Sequence, residues 1–175
     1  TYGTSKALTA NGFTRTGYSF AGWAASAGGA VVHANGTSVL NLTAIQGATV
    51  TLYAKWTAIT YTVAYNGNGH MGGTTASSSH TYDMSKDLAL NGFTKTGYTF
   101  AGWTTNVGGV VVYADGANVL NLTSMQSATI TLYAKWTANI YTVTYNGNGG
   151  APSSQTINQM YNSTYSFPAN NPTCT

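Results

Sequence analysis

Apolar and polar positions along this chain alternate in short runs that keep a period of two. Tyr61, Val63 and Tyr65 alternate with Thr62 and Ala64, the pattern of a strand with one buried face. Asn66-Gly67-Asn68-Gly69 follows at once, and Asn and Gly tolerate the positive φ that a tight turn requires. A weaker strand is expected over residues 75–82. Tyr98, Phe100 and Trp103 mark another strand, which Gly108-Gly109 separates from the β-branched run 110–113. Asp115-Gly116, matched by Asn35-Gly36, predicts a hairpin turn. Residues 118–126 are expected to close as one short helical turn with Asn118 as its N-cap. Ile130, Leu132 and Ala134 alternate with Thr131, Tyr133 and Lys135 in a final strand that ends at Trp136. The predicted unit is strand-dominated.

The same pattern occurs more than once. NGFTRTGYSFAGW at residues 11–23 returns as NGFTKTGYTFAGW at residues 91–103, and TLYAKWTA at 51–58 returns at 131–138, each 80 positions later. YTVAYNGNG at 61–69 likewise returns as YTVTYNGNG at 141–149. The expected domains are therefore a partial repeat over residues 1–58 without its opening strand, a complete repeat over 60–138, and the opening segment of a third over 140–175. A period of about 80 residues exceeds the 20–50 residues of a solenoid unit that needs its neighbours for a core, so each repeat is expected to be a small domain. The connectors WTAIT and WTANI are too short and apolar to act as flexible tethers, which predicts a stiff string of beads.

Composition narrows the setting. Hydrophobic residues make up 43% of the chain, enough for a packed core, while charged residues are only 5% against the ~25% usual in globular domains. A surface of Thr, Ser, Asn and Gly points to an extracellular protein, and no apolar run reaches the roughly 18 residues of a membrane span. The net charge of +3 comes from scattered Lys6, Arg15, Lys55, Lys86, Lys95 and Lys135, with no cluster to follow a phosphate backbone, so no nucleic-acid partner is expected. One cysteine, Cys174, excludes an intrachain disulfide. No signal peptide is visible, and the start in mid-repeat leads us to expect a fragment of a longer protein.

Candidate chemistry is thin. The carboxylates are Asp83, Asp87 and Asp115, and the first repeat carries Gly3, Ala7 and Asn35 in their places, so a paired-carboxylate hydrolase is not expected. His33, His70 and His80 are equally unrepeated, lack further ligands at metal spacing, and read as surface histidines. Cys174 lacks an activating neighbour in sequence. Gly67, Gly69, Gly72 and Gly73 resemble a phosphate cradle only superficially, because no helix start follows them. One acid in Asp115-Gly116-Ala117-Asn118 is far from the six to eight oxygens that calcium takes. The 13 tyrosines and 4 tryptophans would suit sugar stacking, yet their recurrence at strand positions favours core or inter-repeat packing. Asn35, Asn41, Asn121 and Asn162 head N-x-S/T sequons. No catalytic, cofactor-binding or metal residue is expected, and any ligand-binding residue is left open.

YTVTYNGNGG, GYTFAGW and a closing TLYAKW together resemble the Listeria–Bacteroides repeat family, the internalin B-repeat type of module. The resemblance covers the whole second repeat and the matching parts of the other two. It departs in a longer repeat and in the missing proline before GYTF in two copies, with Pro172 supplying one in the third. It implies a mainly β, small α+β, β-grasp-like fold, tandem arrays at the cell surface, and no enzymatic activity. The expected function is a structural or adhesive stalk or filament-forming spacer of a bacterial extracellular protein; the alternative is a glycan- or protein-binding adhesin module. Expected partners are neighbouring repeats in cis or head-to-tail copies in trans; the open sheet of residues 1–58 is expected to be completed in cis by a longer covalent chain, the alternative being the segment 141–161 of another copy. Host or matrix glycans or proteins are further candidates; membrane insertion and cofactors are not expected.

Overall fold

The computed structural model describes residues 2–165; Pro172 and Cys174 lie outside them. The first repeat contributes β1 (Lys6–Ala7), β2 (Tyr18–Ala24), β3 (Val31–His33), β4 (Ser38–Val39) and β5 (Tyr53–Ala58). The second contributes β6 (Thr60–Asn66), β7 (Gly72–Gly73), β8 (Ser78–Thr81), β9 (Lys86–Asp87), β10 (Phe93–Thr94), β11 (Tyr98–Thr104), β12 (Asn118–Val119) and β13 (Thr129–Ala138). The third begins with β14 (Ile140–Asn146) and β15 (Ser154–Met160). No helix occurs among the described residues, so the chain is a mainly β tandem repeat.

The main sheet of the second repeat has the order β11-β13-β6-β8, that of the first β3-β2-β5, and that of the third β14-β15. β2 pairs with β5, and β11 with β13, in the same antiparallel register: Phe20 faces Trp56 as Phe100 faces Trp136. Each pairing slips at a glycine, Gly22 or Gly102. There a Cβ would meet Val31 and the His33 carbonyl, or Val111 and the Tyr113 carbonyl. The bulge therefore needs glycine in both copies.

The helical turn expected over 118–126 is absent. Asn118 and Val119 pair with Asp87 and Lys86, so Asn118 is a strand residue and not an N-cap. Asp115-Gly116 does form a turn, with Gly116 at φ 65. It joins the Tyr113 bridge to β12, whose partner is β9, and so it closes no hairpin. The next strand's pairing partner lies about 30 residues away, which local turn chemistry does not encode.

The chain divides into two compact units: one built from residues up to Val63 with Ser78–Asp87 and Asn118–Ile130, the other from Ala64–Ser77 and Leu88–Ala117 with the chain from Thr131 on. In the first, Ala24, Ile59, Tyr61, Val63, His80 and Val119 are buried. In the second, Leu88, Phe93, Trp103, Thr104, Leu132 and Ala134 are buried, and Trp103 packs against Tyr65, Phe93 and Phe100 with ring centroids 4.8, 6.4 and 4.9 Å away.

Candidate functional site: the joint between repeats

Where one repeat passes into the next, the chain builds the same cluster twice. In the first cluster, Tyr18 N–H donates to the Arg15 carbonyl at 3.0 Å and closes a four-residue turn whose third residue, Gly17, has φ +75. In the second, Tyr98 N–H donates to the Lys95 carbonyl at 3.0 Å with Gly97 at φ +76. The connector then docks on this glycine: Ile59 N–H donates to Gly17 O at 3.0 Å, and Asn139 N–H to Gly97 O at 2.9 Å. The strand that follows returns a tyrosine to the connector, with Tyr82 N–H donating to Ile59 O at 3.0 Å and Tyr161 N–H to Asn139 O at 2.8 Å.

That returning ring lies flat against the glycine. A Cβ on Gly17 would clash with ring carbons of Tyr82, and one on Gly97 with ring carbons of Tyr161. Glycine is therefore required twice over, by its φ and by the close approach. Tyr82 meets Tyr18 edge-on at 5.9 Å, and Tyr161 meets Tyr98 edge-on at 5.6 Å. The Arg15 guanidinium sits 3.7 Å above the Tyr18 ring, and Lys95 Nζ 4.6 Å above Tyr98, so a cation covers each ring from outside.

The first joint carries an additional carboxylate. Tyr18 Oη donates to Asp83 Oδ2 at 2.8 Å, Asn121 Nδ2 donates to Asp83 Oδ1 at 2.8 Å, and Asp83 N–H donates to Asn121 Oδ1 at 2.6 Å. The Asn121 hydrogen bond, then that of Tyr18, hold the Asp83 carboxyl below the usual carboxylate range against some desolvation, helped by the Arg15 charge. The same bond to Asp83 pushes the Tyr18 hydroxyl up. Asn41 performs the Asn121 role in the first repeat, accepting from Gly3 N–H at 2.7 Å. The sequons at Asn41 and Asn121 thus coincide with structural clamps that sit at φ 52 and 53.

The remaining candidate residues do not converge. Asp87 Oδ1 accepts from Asn118 Nδ2 at 2.7 Å. Asp115 Oδ1 accepts from Asn91 N–H at 2.8 Å, as Asn35 Oδ1 accepts from Asn11 N–H at 2.7 Å; asparagine keeps the acceptor oxygen, so the pair is one structural device with interchangeable residues. Gly72 and Gly73 pair with Thr94 and Phe93. Among the described residues no three His, Cys, Asp or Glu side chains gather at metal-binding distance.

His80 corrects the surface reading of the histidines. It is 1% exposed, stacks on Tyr61 at 5.5 Å and places Nε2 2.9 Å from Ser78 Oγ, while Nδ1 has no hydrogen-bond partner among the described residues. Burial, and secondarily the Lys86 charge, lower its pKa. Its place opposite Tyr61 is taken in the third repeat by Gln159 opposite Tyr141, and Gln159 is also buried. His70 is exposed and His33 half-buried.

Tyr82 and Tyr161 stand at the same step of their repeats, but their joint role escaped sequence reasoning because each ring meets a glycine of the preceding repeat, Gly17 or Gly97, and local pattern does not encode so distant a contact. The signal is present as the Thr-Gly-Tyr turn paired with a Tyr-Asp or Tyr-Asn step.

Recurring all-β units, linked through a connector that hydrogen-bonds to both neighbours, define a tandem-repeat structural module. The chain belongs to the Listeria-Bacteroides repeat domain family, whose model matches residues 1–55, 61–135 and 141–175. It is similar to a "Putative Gly-rich membrane protein" of Evansella cellulosilytica, 32% identical over 146 residues that cover 81% of this chain. A "Putative membrane protein" of the same organism is 34% identical over 119 residues, covering 68% of the chain. The chain spans 16% of the length of each of these relatives. No solved structure matches. No helix among the described residues is long and apolar enough to cross a membrane.

Proposed function

We propose that this chain is a non-catalytic structural segment of a bacterial extracellular surface protein, a stalk or spacer in which successive repeats are locked to one another. The observation that carries this reading is the joint, built twice from the same turn, the same glycine and the same returning tyrosine, with Arg15 or Lys95 outside. A flexible linker would leave the connector amides to water. Here both hydrogen-bonding groups of Ile59 and of Asn139 are engaged by the flanking repeats, so bending at the connector costs hydrogen bonds and aromatic contact together. The named relatives, described as membrane proteins, fit a surface setting.

Small-angle scattering on the 175-residue chain tests the reading. The parent chain should give one narrow distribution of maximum dimension, and Gly17→Val with Gly97→Val should broaden it. An unchanged distribution in the double variant would remove the joint as a source of stiffness.

A second reading, an adhesin module, is favoured by one feature. Val31 and Val32 in the first repeat and Val111 and Val112 in the second are exposed at matching positions, with Val110 exposed beside them, and exposed apolar groups that recur are candidates for partner contact. Binding of the chain to a glycan array or to host matrix proteins, lost on changing these valines to threonine, would favour it over the spacer.

A further inference from the structure

The joint brings together two oxidisable rings from successive repeats. Tyr18, the first residue of β2, and Tyr82, just past β8, are both half-buried and meet edge-on with centroids 5.9 Å apart. Tyr98 and Tyr161 repeat the contact at 5.6 Å. Two phenols that have each lost one electron join through their ring carbons, a reaction that free phenols complete only on collision. Here the encounter is built in, which converts it to an intramolecular step. The backbone fixes both partners, with Tyr18 N–H on Arg15 O and Tyr82 N–H on Ile59 O, each at 3.0 Å.

The first joint adds a base. Tyr18 Oη donates to Asp83 Oδ2 at 2.8 Å, within the reach a general base needs. A phenol that loses an electron becomes a strong acid, so its proton departs with the electron when an acceptor is already in place. The Arg15 guanidinium, 3.7 Å above the Tyr18 ring, opposes a positive charge on that ring and makes the joint departure a requirement. Asn121 Nδ2 holds Asp83 Oδ1 at 2.8 Å and keeps the carboxyl below the usual carboxylate range, so Oδ2 is ionised and aimed at the phenol. The third repeat carries Asn162 at this place, with φ 59 against 58 for Asp83. An amide keeps the backbone geometry and supplies no base.

We propose that Tyr18 and Tyr82 are an oxidative modification site, coupled by a one-electron oxidant of the peroxide and haem peroxidase class into a dityrosine that fastens successive repeats covalently. Tyr18 gives one electron to the oxidant and its phenolic proton to Asp83 Oδ2. Tyr82 gives one electron to a second oxidising equivalent and its phenolic proton to water. The two phenoxyl radicals form one carbon–carbon bond between positions ortho to the hydroxyls, and the hydrogen on each joined carbon moves to its phenolic oxygen, which restores both rings. The pair loses two hydrogens in all; one hydrogen peroxide takes up the two electrons and two protons and becomes two waters. The new bond closes the chain between residues 18 and 82 into a loop, which constrains the unfolded chain as other cross-links do. This inference deepens the spacer reading and rests on it for the extracellular, oxidising setting.

Oxidation of the dilute 175-residue chain with a ruthenium photo-oxidant and persulfate tests it. Tryptic cleavage at Arg15, Lys55, Lys86, Lys95 and Lys135 puts Tyr18 on peptide 16–55, Tyr82 on 56–86, Tyr98 on 96–135 and Tyr161 on 136–175. The monomer fraction should yield 16–55 joined to 56–86, two hydrogens lighter than their sum, with the link at Tyr18 and Tyr82. Tyr82→Phe, which keeps the ring and removes the phenol, should abolish it. Asp83→Asn should slow the coupling by about tenfold or more. Asn162→Asp should speed the Tyr98–Tyr161 coupling, a gain that misfolding cannot produce. Coupling that runs through the exposed Tyr2, Tyr53 and Tyr141 without a link between residues 18 and 82 overturns the inference, as does a link between the two peptides that persists in Tyr82→Phe. An unchanged rate in Asp83→Asn, or no gain in Asn162→Asp, overturns the assignment of Asp83 as the base. The link is read by mass and the stiffness of the joint by scattering, so this inference and the spacer reading fail independently.

Discussion

Replacing Gly17 by alanine probes the joint most directly. The residue sits at φ +75, and the new Cβ clashes with ring carbons of Tyr82. An L-residue in the left-handed region costs about 1–2 kcal/mol. Tyr82 must also swing away, giving up the edge-on contact with Tyr18 at 5.9 Å, worth about 0.5–1.5 kcal/mol. The total is about 1.5–3.5 kcal/mol of local stability. Amide exchange reads this where it arises, at Ile59 N–H, bonded to Gly17 O, and at Tyr82 N–H, bonded to Ile59 O. Protection at both should fall by about ten- to four-hundredfold if local opening governs exchange. Tyr82→Ala removes the clash, so in that background Gly17→Ala should cost only the backbone share of about 1–2 kcal/mol. Equal cost in both backgrounds would show that the ring and the glycine are not coupled and would refute the reasoning.

Other expectations follow from the same geometry. Because burial lowers the His80 pKa, the unfolded chain binds a proton that the fold refuses; stability should therefore be full above pH 6.5 and decline below it until His80 protonates inside the fold. His80→Gln, the residue that stands at this place in the third repeat, should abolish that decline in melting temperature. Asp83→Ala should bring the Tyr18 hydroxyl back down to the ordinary tyrosine range in an ultraviolet titration, since its bond to Asp83 is the first cause of its rise; an unmoved titration contradicts the assignment. In the native joint, the Asp83 contribution is present above its unfolded value and lost as pH falls through its depressed one, while that of Tyr18 is lost as pH rises through its elevated one. Phe93→Ala should cost about 3–5 kcal/mol. Phe13→Ala, at the same place in a repeat where the ring is 66% exposed, should cost about 1 kcal/mol or less in denaturant melts.

What was legible in the sequence is what repeats with a short period. The alternation Tyr61-Val63-Tyr65 and the run from Ile130 to Trp136 give β6 and β13, because one buried face imposes a period of two. The repeat itself was legible because its turn glycines and strand aromatics recur at fixed spacing. Pairing partners were not. Asp115-Gly116 has the local chemistry of a hairpin, yet β12 finds β9 across the chain, and local chemistry does not encode that choice. Residues 118–126 show why a helix expectation fails there: Asn118 pairs with Asp87, and Leu122 N–H is engaged by Tyr61, so tertiary partners satisfy groups that a helical turn would otherwise need.

His80 marks the deeper limit. A residue that varies between copies reads as a surface residue, since surfaces tolerate change. Here His80 and Gln159 both occupy a buried place beside a strand tyrosine, opposite Tyr61 and Tyr141. Their common property is a planar polar side chain that both accepts and donates: His80 reaches Ser78 Oγ at 2.9 Å, and Gln159 Nε2 donates to the Ser163 carbonyl at 2.8 Å. Each repeat thus gives the buried polar side chain a local partner, and a different one. Identity at that place is free to change while its hydrogen-bonding character is not, and the same reasoning explains Asp115 against Asn35. Variation between repeats therefore separates chemistry from structure only after the acceptor oxygens have been compared, and by that measure Asp115, matched by Asn35, is a turn clamp.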